Sequence, residues 1–212
     1  YTLFYEASTQ GSPIMRPLVY EYQDDENTYT LDDSYLAGDK ILVAPVLERG
    51  LDKRLVYLPK GMWYDFENGN ILEGGWAHYA DAPLDRLPVY VKEGSILPAK
   101  EVGQYVDEVS EEEIELKVYP LITDGSVKST FYTDDGITKT SAYNYYIMTM
   151  TKKGNQIDIS LEKTGSYNKV KRFYLNITGN KPKQVKADEK TITQKNNNYY
   201  IESNVKRITL VY

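Results

Sequence analysis

The fold of this chain is indicated most clearly by residues 145–162, which read YYIMTMTKKGNQIDISLE. Two runs rich in aromatic and β-branched residues, Tyr145–Thr151 and Gln156–Glu162, flank the polar turn residues Lys153-Gly154-Asn155. Such runs on either side of a short glycine-containing turn are typical of two paired strands. The stretch therefore predicts an antiparallel hairpin.

The same pattern of short strands and turns continues through the carboxy-terminal half. Ile114, Leu116 and Val118 alternate with polar residues as in a half-buried strand, and a further strand is expected around Thr130–Thr133. Four more strands are predicted at Arg172–Ile177, Gln184–Ala187, Tyr199–Glu202 and Arg207–Val211. These segments indicate an all-β module.

The amino-terminal half repeats this organisation after Arg16. Turn residues recur about every 8–12 positions, which is typical of a sandwich or barrel. The strands predicted here are Leu18–Tyr22, Ile41–Val46, Arg54–Leu58, Trp63–Phe66, Val89–Lys92 and Ile96–Pro98. Asn68-Gly69 is a hairpin signal. Residues 99–113 lose this periodicity, which indicates a domain boundary. The fold class predicted is therefore all-β, with two consecutive antiparallel β-sandwich domains.

A short helix is predicted before these domains, at Tyr1–Gln10. Leu3, Phe4 and Ala7 recur at helical spacing, and Gly11 and Pro13 form a stop signal. No N-cap residue precedes the pattern, which favours the last turns of a helix whose beginning and packing partner belong to an upstream domain. The alternative is a frayed helix that folds back on the β-structure.

Composition excludes several kinds of site. The chain has 212 residues, no cysteine and a single histidine, His78. Disulfides, thiolate metal sites and cysteine nucleophiles are therefore absent, and a His-rich metal site or a Ser-His-Asp triad would have to be built around His78. The formal net charge of -6 argues against nucleic acid as a partner, and no apolar run is long enough to span a membrane.

Charge is distributed unevenly between the two halves. Residues 1–110 contain 9 Lys/Arg and 19 Asp/Glu, whereas residues 111–212 contain 16 Lys/Arg and 12 Asp/Glu. The net charge thus changes from -10 to +4 along the chain. This switch favours two separate modules.

Three acidic pairs are the first candidates for chemistry: Asp24-Asp25, Asp32-Asp33 and Asp134-Asp135. Paired carboxylates can act as general acid and base or bind calcium. Each pair, however, lies beside turn signals, and adjacent residues of a strand point to opposite faces. A solvated turn is the favoured interpretation, and a calcium site stays open only for Asp134-Asp135-Gly136.

An aromatic cluster is the second candidate. Trp63-Tyr64-Asp65-Phe66, together with Trp76, His78 and Tyr79, has the residue types of a sugar-stacking platform. Core packing is the favoured alternative, and His78 is assigned to a loop or an interface. Asn176-Ile177-Thr178 matches a glycosylation sequon but lies inside a predicted strand, so it carries no assignment.

Several ordered blocks resemble glycoside hydrolase family 31, the α-glucosidases, α-xylosidases and their relatives. The blocks are Tyr1–Ala7, Gly11–Leu18, Gly38–Val46, Val56–Phe66, Gly74-Gly75 and Leu87–Pro98, with a looser match at Phe131–Gly136. The resemblance implies that residues 1–15 are the tail of the last helix of a catalytic (β/α)8 barrel. Residues 16–112 would then be the proximal, and residues 113–212 the distal, carboxy-terminal β-sandwich.

The resemblance also implies a retaining mechanism with two aspartates, a nucleophile and an acid/base. In the family both aspartates lie on barrel strands upstream of the segment that matches this chain, and their surrounding motifs have no counterpart here. We therefore expect no catalytic, cofactor-binding or metal-binding residue in these 212 positions.

The leading functional hypothesis is that the two sandwiches brace the catalytic barrel of an α-glucosidase-type enzyme. The barrel is the expected partner, and Leu3 and Phe4 are expected to contribute to an exposed apolar patch in its absence. Two alternatives stay open for the distal module: carbohydrate binding through Tyr143, Tyr145 and Tyr146, or formation of a homo-oligomer. The compartment and the substrate are not indicated by the sequence.

Overall fold

A computed structural model describes residues 1–105 and 108–212 of the chain. Residues 106 and 107, which belong to the predicted boundary segment, lie outside the described residues. The described chain forms two compact units. We call residues 3–93 the first unit, and residues 94–212 together with residues 1 and 2 the second unit.

The first unit is built from short strands. Helix α1 (Thr2–Gln10) precedes strand β1 (Met15–Pro17), and helix α2 (Leu18–Glu21) and a 3-10 turn (Glu26–Thr28) follow. The remaining strands are β2 (Tyr35–Ala37), β3 (Ile41–Val43), β4 (Lys53–Leu58), β5 (Met62–Asp65), β6 (Ile71–Glu73), β7 (Trp76–Asp81) and β8 (Val89–Lys92).

Two antiparallel sheets form the sandwich of the first unit. Six strands are ordered β1-β2-β3-β8-β5-β6, and β4 and β7 form a separate two-stranded sheet. Val56 and Leu58 of β4 belong to the same buried cluster as Leu42 of β3 and Trp63 of β5. The core of this unit therefore lies between its two sheets.

One element of the first unit differs from its prediction. Leu18–Tyr22 was predicted as a strand, but Leu18–Glu21 is a short helix. Only Leu18 of this segment is fully buried, and the Tyr22 amide donates to the Leu18 carbonyl at 3.0 Å. The turn also brings Glu21 within 2.6 Å of the buried Arg16 guanidinium. Tertiary contacts thus override the strand propensity of these residues.

The second unit has longer strands. They are β9 (Ile96–Ala99), β10 (Glu113–Val118), β11 (Gly125–Thr133), β12 (Asn144–Lys153), β13 (Gln156–Gly165), β14 (Arg172–Ile177), β15 (Gln184–Ala187), β16 (Lys190–Ile192), β17 (Tyr199–Glu202) and β18 (Arg207–Val211). The hairpin predicted around Gly154 is confirmed, since Lys153 pairs with Gln156 and β12 runs antiparallel to β13.

These strands also form two facing sheets. One has the order β17-β14-β10-β9 and the other β11-β12-β13-β18-β15-β16. Both sheets contribute to one buried cluster, which contains Leu116 and Phe173 from the first and Met148 and Ile159 from the second. Strands β10 and β14 are parallel, an exception to the predicted antiparallel pairing, because the chain crosses to the other sheet and returns between them.

The division between the units lies at Glu93 and Gly94, ahead of the predicted boundary at residues 112 and 113. The reason is the pairing of β9 with β10, in which Ile96 lies opposite Val118. Strand β9 was assigned to the proximal domain because it precedes residues 99–113, where the periodicity is lost. In the described residues no helix is long and apolar enough to cross a membrane.

Candidate functional site

Two of the acidic pairs serve the local structure of the first unit. Asp25 accepts hydrogen bonds from the Tyr57 hydroxyl at 2.6 Å and from the side chain of Asn27 at 2.9 Å. Partial burial opposes ionisation of Asp25, but these hydrogen bonds outweigh it and lower its pKa. Asp33 forms an ion pair of 2.6 Å with Arg54. These carboxylates hold loops against strand β4.

The third pair, Asp134-Asp135, closes a turn in the second unit. Asp135 accepts from the side chain of Thr138 and from the backbone amides of Ile137 and Thr138, and these hydrogen bonds lower its pKa to about 2. Asp134 accepts from the Tyr1 and Tyr132 hydroxyls at 2.6 and 2.7 Å. Within residues 1–105 and 108–212, no group of three or more metal-ligating side chains is assembled.

The predicted aromatic platform of the first unit is dispersed. Trp63 and Tyr64 are buried in the core, and the Trp63 indole donates to the Pro59 carbonyl at 2.7 Å. Trp76 and His78 lie on one face of β7, with ring centroids 6.2 Å apart, and Tyr79 lies on the opposite face. The favoured core-packing interpretation holds for Trp63 and Tyr64, and the rings do not converge on one surface.

His78 and the sequon have ordinary structural contacts. His78 is half-buried, and its Nε2 lies 2.8 Å from the carbonyl oxygen of Glu73. Asn176 of β14 donates a hydrogen bond of 2.8 Å to the Glu115 carboxylate of β10. The Asn176 amide therefore cross-links two strands.

The tyrosines of the second unit divide into core and surface residues. Tyr146, one of the three tyrosines named for the alternative of carbohydrate binding, is only 1% exposed and stacks on Phe131 at 5.6 Å. Strand alternation turns Tyr146 into the core, so it is not part of a sugar-stacking surface. Tyr143 and Tyr145 do accompany a surface ring, Tyr132, which pairs with Tyr145 across the strands and stacks on Tyr143 at 5.8 Å.

A cavity of about 570 Å³ adjoins this tyrosine cluster. All of its lining residues belong to the second unit, and they include Tyr132 and Asp134 together with the core ring of Phe131. This cavity was not predicted, because its lining residues are distant from one another in sequence. The only signal for it was the Phe131–Gly136 stretch.

The first unit exposes apolar side chains on two surfaces. We call the exposed side chains of Phe4 on α1, Met15 on β1 and Tyr20 on α2 the helix surface; Phe4 is 65% exposed, and none of the nine residues of α1 is buried. The ribbon surface consists of Leu55 and Tyr79, which lie opposite each other on β4 and β7. Tyr79 is 83% exposed. Clusters of this kind on a folded domain mark interaction surfaces.

The fold places the chain among proteins built from β-sandwich domains. Residues 11–97 match the glycosyl hydrolase family 31 C-terminal domain. This match includes most of the sequence blocks that carry the resemblance to the family.

Among curated relatives, the chain is 41% identical over 138 residues to α-glucosidase 2 of Bacillus thermoamyloliquefaciens. The aligned residues cover 65% of this chain and 17% of that relative. It is 36% identical over 167 residues to the α-xylosidase of Saccharolobus solfataricus, covering 77% of this chain and 22% of the relative. Together with the family match, these relatives confirm the resemblance, and the chain belongs to glycoside hydrolase family 31. It spans less than a quarter of the length of either relative.

Solved structures extend the similarity to the whole chain. A family 31 dextranase from Flavobacterium johnsoniae, complexed with glucose, superposes with a TM-score of 0.87 at 30% identity, covering all of this chain and 30% of that one. The family 31 α-xylosidase of Xanthomonas citri gives a TM-score of 0.79 at 26% identity, with 100% and 23% coverage. Both units therefore have the fold found in these enzymes.

Proposed function

We propose that this chain is the non-catalytic C-terminal region of a retaining family 31 α-glycosidase of α-glucosidase type. The parent enzyme would hydrolyse terminal α-glycosidic bonds, with both catalytic aspartates outside this chain. The two sandwiches would pack against the catalytic barrel and stabilise it. The names of the relatives, which include α-glucosidases and an α-xylosidase, support this class of reaction.

The helix surface is the observation that carries this proposal. A nine-residue helix is marginal in water and needs tertiary packing to persist. Leu3 packs against Gly38, yet Phe4 on the outer side of α1 stays exposed. Met15 and Tyr20 are exposed as well, and the Arg16 guanidinium lies 5.6 Å from the Tyr20 ring. Coverage by the barrel would remove the helix surface from water.

The arrangement of carboxylates supports a non-catalytic role. Asp25, Asp33 and Asp134 each hold a hydrogen-bonded loop or turn, as described above. Retaining glycosidases need two carboxyl groups about 5–5.5 Å apart that both face the substrate. The carboxylates described here are instead engaged by hydroxyls, amides and guanidinium groups of their own unit.

The proposal is tested in the full-length enzyme by replacing Phe4 with aspartate. We expect Phe4→Asp to lower the temperature at which half of the α-glucosidase activity is lost, by several degrees, and to leave KM unchanged. Val102→Asp is the matched control, since Val102 is fully exposed in a loop of the second unit. Equal heat stability of the two variants would contradict the bracing role.

A second measurement tests the absence of catalysis. The 212-residue chain by itself should release no aryl alcohol from an aryl α-glucoside. Turnover that is proportional to chain concentration and survives repurification would overturn the assignment.

A further inference from the structure

The cavity of the second unit lies between the edges of its two sheets. Strand β9 is the last strand of the four-stranded sheet, and β11 is the last strand of the six-stranded sheet. The Ile96 amide of β9 donates to the Ser129 hydroxyl of β11 at 2.9 Å, which joins the two edges at one end. Pro98, Ala99 and Phe131 line the cavity farther along the same strands.

The floor of the cavity is apolar. Phe131 and Ile114 are core residues that are 9% and 5% exposed, and both contribute to the lining. Phe131 is held in place by stacking on Tyr146 at 5.6 Å and by an edge contact with Phe173 at 6.5 Å. A rigid apolar floor of this kind suits a ligand that has an apolar face.

An ion-pair cluster lines part of the cavity. The carboxylate of Glu111 lies 3.5 Å from the ammonium of Lys100 and 3.3 Å from that of Lys169. All three side chains line the cavity. The cluster therefore places hydrogen-bond donors and an acceptor side by side in the cavity lining.

Two tyrosines and a carboxylate line another part of the cavity. The Tyr1 and Tyr132 hydroxyls donate to separate oxygens of Asp134, and the two rings lie 5.9 Å apart. Thr2 accepts from the Tyr132 amide at 3.1 Å, so the exposed edge of β11 is satisfied at this point. These contacts fix the orientation of the aromatic rings without any ligand.

We propose that this cavity binds a neutral oligosaccharide. Its volume of about 570 Å³ lies within the range of about 300–1,000 Å³ typical of small-molecule sites, enough for roughly two or three pyranose rings. Two lysines and three carboxylates line it, so its formal charges nearly cancel. This balance disfavours a strongly anionic or cationic ligand.

The chemistry of a sugar matches the two kinds of surface. The C–H face of a pyranose packs on aromatic rings such as Tyr132, and its hydroxyls both donate and accept. Glu111 and Lys169 supply the complementary acceptor and donor in one place. An alkyl ligand would offer no new hydrogen bonds to Glu111 and Lys169, and burying these charged groups without compensation costs free energy.

The experiment is an amide chemical-shift titration of the 212-residue chain with maltotriose. We expect saturable shifts at the cavity amides of Thr133, Gly136 and Ile137, with a dissociation constant in the millimolar range. The amides of Gly69 and Gly154, in hairpin turns that do not line the cavity, should not move. Sorbitol, which has hydroxyls but no ring face, should cause no saturable shift.

A pair of lysine variants sharpens this test. Lys169→Ala should weaken maltotriose binding about five- to tenfold, in keeping with one lost charged hydrogen bond. Lys171→Ala is the matched control, because Lys171 pairs with Glu112 and does not line the cavity. Any one of four outcomes would overturn the proposal. They are the absence of a saturable shift with maltotriose, shifts confined to residues outside the cavity, equal shifts with sorbitol, and equal affinities of the two variants for maltotriose.

The test of saccharide binding is independent of the test of the bracing function. Saccharide binding is measured on the chain without a barrel, whereas the effect of Phe4→Asp is measured on the heat stability of the full-length enzyme. A chain without saccharide binding would leave the bracing role unaffected, and the reverse also holds.

Discussion

The two units reach their folded states by different means. In the second unit, β12 and β13 each have ten residues, and buried side chains alternate with half-buried ones along most of β12. In the first unit the longest strands have six residues, and most have three or four. Long alternating strands bury one whole face of a sheet, whereas short strands depend more on the loops between them.

The cores reflect this difference. Among the described residues, 22 form the buried apolar cluster of the second unit, and nine form that of the first. The first unit instead buries charged groups: Arg54 binds Asp33, and Arg16 binds Glu21. It also leaves Phe4 and Tyr79 exposed. We infer that apolar packing dominates the stability of the second unit, while hydrogen-bonded loops and an external partner matter more in the first.

The largest expected effect tests the second unit. Phe173 is 1% exposed and makes edge contacts with the rings of Tyr146 and Phe131 at 5.3 and 6.5 Å. Phe173→Ala should lower the free energy of unfolding by about 3–5 kcal/mol, because it removes a buried ring and leaves a cavity. Urea unfolding followed by far-ultraviolet circular dichroism measures this change.

Phe4→Ala provides the comparison from the first unit. Phe4 is exposed, so this change should alter the stability of the isolated chain by less than about 0.5 kcal/mol. A similar loss for both variants would contradict the contrast drawn between a packed core and an uncovered surface.

A smaller effect is expected from the buried charge of the first unit. The Arg54 guanidinium donates to Asp33, to the Pro45 carbonyl and to the Leu55 carbonyl. Arg54→Met should cost about 2–3 kcal/mol, because the carbonyl and carboxylate partners lose charged hydrogen bonds. Tryptophan fluorescence reports this unfolding selectively, since both tryptophans, Trp63 and Trp76, lie in the first unit.

Lys53→Met is the matched control on the neighbouring position of β4. Lys53 and its partner Asp81 are each 65% exposed, and an exposed pair of this kind contributes at most about 1 kcal/mol. If Lys53→Met were as destabilising as Arg54→Met, the first unit would not depend on its buried arginine in the way inferred here.

The same contrast explains what the sequence could predict. In the second unit, the strand positions of β14, β15, β17 and β18 agree with the predictions, because alternating burial leaves a period-two pattern in the sequence. In the first unit, β7 was missed and α2 was predicted as a strand. The short helix α2 makes the contact of Glu21 with Arg16, which strand periodicity does not encode, and β7 has a single buried residue, Ala80, so it leaves no period-two pattern.

The candidate site was predictable only in part. Composition pointed to tyrosines in the second unit, but the sequence did not separate the buried Tyr146 from the surface pair Tyr143 and Tyr145. The pairing of Tyr132 with Tyr145 depends on strand register, and the cavity depends on which strands end each sheet. Register and sheet order are set by the whole fold, so they lie beyond single-sequence periodicity.

The smallest expected effect concerns acid stability, with one carboxylate in each unit. Partial burial opposes ionisation of Asp158 and of Asp25, but hydrogen bonds from Arg207 and Thr209 to Asp158, and from Tyr57 and Asn27 to Asp25, lower the pKa of both. A folded pKa below the unfolded value of about 3.9 stabilises the protein above that pH, and this stabilisation is lost as pH falls through the folded pKa.

Asp158→Asn and Asp25→Asn should therefore reduce the loss of stability between about pH 5 and pH 2, each by about 1 kcal/mol or less because both groups lie near the surface. Urea unfolding across this range, followed by circular dichroism for Asp158→Asn and by tryptophan fluorescence for Asp25→Asn, measures the change. Because both carboxylates lie near the surface and outside the apolar clusters, the two effects should be similar despite the different cores. A pH profile that is unchanged in either variant would show that its carboxylate has the same pKa in the folded and unfolded chain.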